Sequence, residues 1–227
     1  MQNLSSVFNL LAGAPTLFGV LLASGTIFLT SDWRLSLTAL LVQYVCVGLL
    51  LTRSIQGEIA ILKALTGVLA VLMLYITVRR VQEERELLPE QREPSAAFRW
   101  GVADPHGSLG LVLRLSACVL VVLALVQGFK SVHFPWVPVH FAFAALWMGG
   151  FGGLGLVLSS DPIRVATAIL TILAGFDLVY APLEPSLALV GLWSAMTLVA
   201  ALAFSYLIVV HNAGTGRSAS NEEGDRS

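Results

Sequence analysis

Seven stretches of almost unbroken apolar residues run through the chain, at about 9–30, 35–52, 58–79, 108–128, 138–158, 163–181 and 186–210. Each approaches the ~20 residues that a helix needs to cross ~30 Å of hydrocarbon; the second and sixth are marginal in length. None has the polar face that the outer helices of a water-soluble bundle require. The pattern therefore predicts an all-α, polytopic membrane protein of about seven transmembrane helices.

The pattern also repeats. Ser31-Asp32 followed by Thr38-Ala39-Leu40-Leu41 returns as Ser160-Asp161 followed by Thr167-Ala168-Ile169-Leu170, an offset of 129. Ala64, Thr66, Val68, Ala70, Tyr75 and Val78 are matched at an offset of 131 by Ala195, Thr197, Val199, Ala201, Tyr206 and Val209. The expected organisation is a parallel 3+1+3 helix-triplet repeat. It divides into a first triplet over 1–80, a charged cytoplasmic loop over 81–107, a linking helix over 108–130, a second triplet over 131–211 and a disordered tail over 212–227. A shared apolar alphabet also produces chance matches, so descent of both triplets from one ancestor stays open beside coincidence.

Charge adds direction. Only 12% of the 227 residues are charged while 56% are hydrophobic, about half the charged share of a soluble domain. With alternating spans, one face collects Arg34, Arg79, Arg80, Arg85, Arg92, Arg99, Arg164, Arg217 and Arg226, and the other only Arg53 and Lys130. The positive-inside rule then places the N-terminus outside and the C-terminus in the cytoplasm of a cell membrane. The first apolar run lacks a basic leader and passes directly into further spans, so it reads as retained. Arg79-Arg80 before Glu83-Glu84 sets opposite charges at i, i+4 and extends the third helix toward Pro89. The rest of that connection reads as a solvated loop or a docking surface for a neighbouring subunit, with Phe98 and Trp100 as interfacial anchors. The segment from Val132 to Pro138 reads as a proline-stiffened interfacial turn.

Ionisable groups inside spans are the candidates for chemistry. Asp177 lies about 6 Å from the outer end of span six and Lys63 about 7–8 Å from the outer end of span three, at 1.5 Å per residue. Their matching depth admits an intramembrane ion pair, separate snorkelling to the interface, or a water-lined proton site. Arg114, about 9 Å into span four, is within snorkelling reach. Gln43 and Tyr44 could hydrogen-bond between helices. Gly149 and Gly153 form a GxxxG face for helix packing.

Other chemistries find no footing in the sequence. His140 and His211 belong to opposite membrane faces, which is unsuited to a bis-histidine haem. Cys46 and Cys118 lie in separate spans and read as core thiols. There is no nucleophile–base arrangement, no metal-ligand spacing and no basic patch with interleaved aromatics. No catalytic residue, metal, cofactor or nucleic-acid partner is expected.

The segment from Gly153 to Val179, with its short Ile163-Arg164 turn, resembles the K-type (chain 4L-like) membrane subunit of complex I. It resembles more closely the longer component E of hydrogenase-4-type complexes, whose second helix opens, as here with Arg34-Leu35-Ser36, on an Arg-Leu-Ser sequence. The resemblance implies an accessory membrane subunit of a proton-translocating redox complex, partnered by antiporter-like and other membrane subunits and by the lipid bilayer. The family's buried glutamate would fall at Leu170 (K-type) or near Leu173 (component E), and Asp177 is the only carboxylate of that helix. The resemblance thus implies a mainly structural role, with Asp177 and Lys63 as the candidates for any contribution to a proton path. The alternative is a stand-alone small transporter with its site at the repeat interface. A lipid-modifying enzyme is disfavoured, because no acidic or histidine cluster gathers at a membrane face.

Overall fold

The computed structural model describes residues 14–30, 32–55, 57–87, 108–131, 138–159, 161–183 and 186–224. They form seven helices and no strand: α1 (Ala14–Leu29), α2 (Trp33–Leu51), α3 (Gly57–Leu87), α4 (Ser108–Ser131), α5 (Val139–Leu158), α6 (Pro162–Leu183) and α7 (Leu187–Gly224). Five of them, α2, α3, α5, α6 and α7, are long and apolar enough to cross a membrane. The described apolar parts of α1 and α4 are shorter, Pro15–Leu29 and Arg114–Gly128. The two spans that look marginal in the sequence gain length at their ends, to 19 residues in α2 and 22 in α6.

Local chemistry fixes the helix starts. Asp32 is extended at the N-cap of α2, and its carbonyl accepts the Ser36 amide at 3.0 Å. The corresponding residue before α6, Asp161, accepts the Val165 amide at its carbonyl (3.0 Å) and the Ile163 amide at its carboxylate (3.3 Å). Pro162 follows at the first helical position, where a missing N–H costs nothing. The carbonyl of Pro138 accepts from Phe141 and Ala142 and so opens α5.

Two helices outrun the membrane. The 31 residues of α3 span roughly 46 Å at 1.5 Å per residue, and Arg79 Nε donates to Glu83 Oε1 at 2.8 Å on the protruding turn. The 38 residues of α7 continue to Gly224, whereas the composition of the tail predicts no regular structure from residue 212. Once a helix is nucleated, each further residue adds a backbone hydrogen bond, and the span supplies the nucleus. Phe98, Trp100 and the turn at 132–137 lie outside the described residues.

The six triplet helices pack as two rows. α1–α2–α3 form one and α5–α6–α7 the other, and each helix of the first row packs on its counterpart in the second, α1 on α5, α2 on α6 and α3 on α7. That pairing follows the register in which the sequence aligns the two triplets. α4 packs mainly against α5 and stands at the edge.

The radial distribution is that of a protein in lipid. Large side chains such as Phe18, Leu22, Ile61, Leu65, Leu120, Val157, Leu192 and Tyr206 point outward. Ser24, Ser36, Gln43, Thr66, Thr167, Thr171, Ser194 and Thr197 are buried. Without a hydrophobic drive between helices, small and polar residues hold the interior and apolar ones face the hydrocarbon. Ser24, Thr66, Thr171 and Thr197 donate their hydroxyl protons to the backbone carbonyl four residues earlier, which makes them compatible with that interior.

Candidate functional site

The junction of α2, α3, α6 and α7 holds a buried ion pair. Lys63 Nζ lies 2.6 Å from Asp177 Oδ1, with side chains 5% and 8% exposed. α3 and α6 are diagonal across this junction and are not a major packing pair. The long lysine arm bridges what the backbones leave apart. Of the arrangements open to these residues from sequence, the described geometry is the direct contact between first and second triplet.

Tyr44 completes the local structure. Its hydroxyl donates to the Leu170 carbonyl of α6 at 3.1 Å, which ties α2 to α6. Its ring lies against Gly67 of α3, where an added Cβ would fall inside the ring. Tyr44 is also within electrostatic reach of Asp177. Leu170, the position onto which the K-type glutamate falls, therefore contributes a carbonyl and no acid. On the far side of Asp177, Phe176, Tyr180 and Trp193 pack together, with Phe176 and Trp193 ring centroids 4.7 Å apart, and join α6 to α7.

Gln43 behaves differently from its neighbour. It is fully buried, yet neither Oε1 nor Nε2 has a hydrogen-bond partner among the described residues. The inter-helix hydrogen bond expected of the Gln43-Tyr44 pair is made by Tyr44 alone. Arg114 is half-buried and, together with Arg164 of α6, lines a cleft between α4 and the bundle.

Space is open at Gly149 and Gly153, so neither seats another helix among the described residues. The close approaches fall on the two flanking faces, toward α4 and toward α6. A Cβ at Gly152 would lie 2.9 Å from the Ala168 carbonyl, one at Gly155 3.0 Å from Ala168 Cβ, and one at Gly150 3.0 Å from a Leu125 methyl. In a run with glycine on every face, spacing alone does not single out the face that packs. Gly48 was absent from the sequence candidates altogether, although a Cβ there would lie 2.6 Å from Ala64 Cβ on α3. Its signal was the repeat itself, which aligns Gly48 with Asp177.

Both cysteines are free, and Cys46 Sγ fills the space beside Gly19 where α1 crosses α2. The described residues contain no cluster of His, Cys, Asp and Glu suited to a metal ion. His140 is exposed at the start of α5, and His211 is exposed in the C-terminal half of α7.

Comparison with protein-family models, with curated proteins and with solved structures finds no match to this chain. The likeness to component E and K-type subunits accordingly rests on the residues quoted for it.

Proposed function

We propose that the chain is an accessory integral-membrane subunit of a proton-translocating redox complex of the complex I or group 4 hydrogenase kind, mainly structural in role. It lies in the cell membrane with its N-terminus outside and its C-terminus in the cytoplasm. The observation that carries the reading is the buried Lys63–Asp177 pair. It clamps the two triplets to each other across the bundle. A pair of this kind, in contact and largely dry, suits a rigid scaffold beside a proton channel better than a mobile carrier. The open glycine face at Gly149 and Gly153 gives a neighbouring helix a place to approach closely.

If the chain contributes to ion movement, Asp177 is the exchanging group and Lys63 its counter-charge. A carboxylate can accept and release a proton, and a neighbouring ammonium balances its charge when it is ionised. Affinity purification from native membranes in mild detergent, followed by identification of the co-purifying chains, tests the subunit reading. Antiporter-like and redox subunits are the expected companions, and a monodisperse solitary chain overturns it. Proton flux through a complex carrying Asp177→Asn separates the two roles. Unchanged flux in an intact complex removes Asp177 from the proton path and leaves the scaffold reading standing.

The stand-alone transporter is favoured by one observation, the fully buried Gln43 side chain of α2, whose amide has no hydrogen-bond partner among the described residues. Purified chain in liposomes that moves protons or a solute without other subunits would establish it.

A further inference from the structure

Arg114 and Arg164 are separated by fifty positions and two turns of the chain, yet both line one cleft. Its walls come from α1, α4, α5 and α6, with Ser24, Phe151, Ser159 and Thr167 among them, and no Asp or Glu lines it. Arg164 feels the like charge of Arg114 as well as the opposite charge of Asp161. Two guanidiniums brought together beside apolar helices repel each other, and both lose hydration. An anion held between them reverses the sign of that interaction.

The remaining donors narrow the ligand. Ser24, Thr167 and Thr171 spend their hydroxyl protons on backbone carbonyls at 2.8–2.9 Å, so binding falls to the two guanidiniums, with Ser159 beside them on the wall. Their planar forks match the paired oxygens of a phosphate, each able to donate two parallel hydrogen bonds. Depth agrees. Arg164 lies two residues past the start of α6 and Arg114 six past the start of α4, hence about 3 Å and 9 Å from the arginine-rich end. That is the level at which lipid phosphates meet hydrocarbon, and α4, at the edge of the bundle, leaves the cleft beside lipid.

We propose that this cleft binds a phosphate anion, with Arg114 and Arg164 as its ligands, either as the headgroup of an anionic phospholipid or as free phosphate. The proposal needs only that the helices lie in a membrane and does not depend on the redox-complex reading. Full-length protein is equilibrated with equal phosphatidylglycerol and phosphatidylcholine and examined by native mass spectrometry, and its melting is followed with and without inorganic phosphate. A preference of roughly tenfold or more for phosphatidylglycerol, the scale of one charge-assisted contact, identifies the lipid. A rise in melting temperature with inorganic phosphate, without lipid preference, identifies free phosphate.

Either response falls to near parity in Arg114→Gln and Arg164→Gln and persists in Arg80→Gln, an exposed arginine away from the cleft. Absence of both responses in the wild type overturns the proposal, and so does a response that survives both cleft substitutions. Should the variants fail to fold, phosphatidylglycerol and a phosphate ester, each with a photoreactive group, are cross-linked to the wild-type chain. Labelling of the peptides carrying Arg114, Ser159 or Arg164 supports the site, and labelling elsewhere overturns it.

Discussion

Removing one member of the Lys63–Asp177 pair leaves the other as a lone charge in a dry interior. A broken buried pair costs about 3–5 kcal/mol, whereas replacing both partners with neutral groups is often close to neutral. Lys63→Met and Asp177→Asn should therefore each lower stability by about that amount in detergent unfolding, and the double variant should lose much less than their sum. Losses that simply add would mean that the two side chains do not act on each other. Tyr44 gives a second, smaller effect. Tyr44→Phe removes one hydrogen bond to Leu170 and should cost about 0.5–1.5 kcal/mol. Gly67→Ala places a methyl where the ring lies, and overpacking of this kind costs about 1–3 kcal/mol. Melting curves that rank Tyr44→Phe as the more damaging would put the ring elsewhere. The depths of Lys63 and Asp177 could be read from sequence because each residue adds a fixed rise, and their inward direction because a charge facing lipid is so costly. Nothing comparable fixed Gln43, whose neutral amide is tolerated in more than one direction.

Between elements, the decisive contacts are close approaches of backbones, and these were the least legible part of the chain. α2 meets α3 where Gly48 faces Ala64, with room for one Cβ and not two. Gly48→Ala should weaken the crossing by about 1–3 kcal/mol, and adding Ala64→Gly should restore most of the loss. A double variant no more stable than Gly48→Ala alone would mean that these positions do not meet. The apolar pattern located every helix but not the rotation of each about its own axis, because spans apolar all round carry no preferred face. In α5, glycines at 149, 150, 152, 153 and 155 offered several packing faces, and the spacing rule picked one that is open. Packing partners, in contrast, could be followed from the repeat, since aligned helices of the two triplets are the ones that pack in pairs. Arg114 and Arg164 had no such guide. They lie outside each other's aligned positions, and only the folded bundle brings α4 beside the start of α6.

For the whole molecule, the open face of α5 separates what the chain does alone from what it does in company. Among the described residues, nothing occupies the space a Cβ would take at Gly149 and Gly153, so larger side chains there project outward. Gly149→Leu with Gly153→Leu should leave the melting temperature of the purified chain unchanged or slightly higher, since leucine favours a helix over glycine by about 0.5–1 kcal/mol per position. A neighbouring helix that relies on close backbone approach at these glycines would be pushed away. On the proposed subunit reading, the double variant should therefore keep its fold and lose most of the co-purifying chains, measured as the ratio of companion to bait after affinity purification from native membranes. Gly152→Leu supplies the contrast, because that position already meets α6 and its substitution should lower the stability of the chain itself. Companions retained at wild-type ratio by a folded Gly149→Leu/Gly153→Leu chain would show that this face meets lipid. Any association would then have to run through another surface, such as the protruding turn of α3 with its Arg79–Glu83 pair.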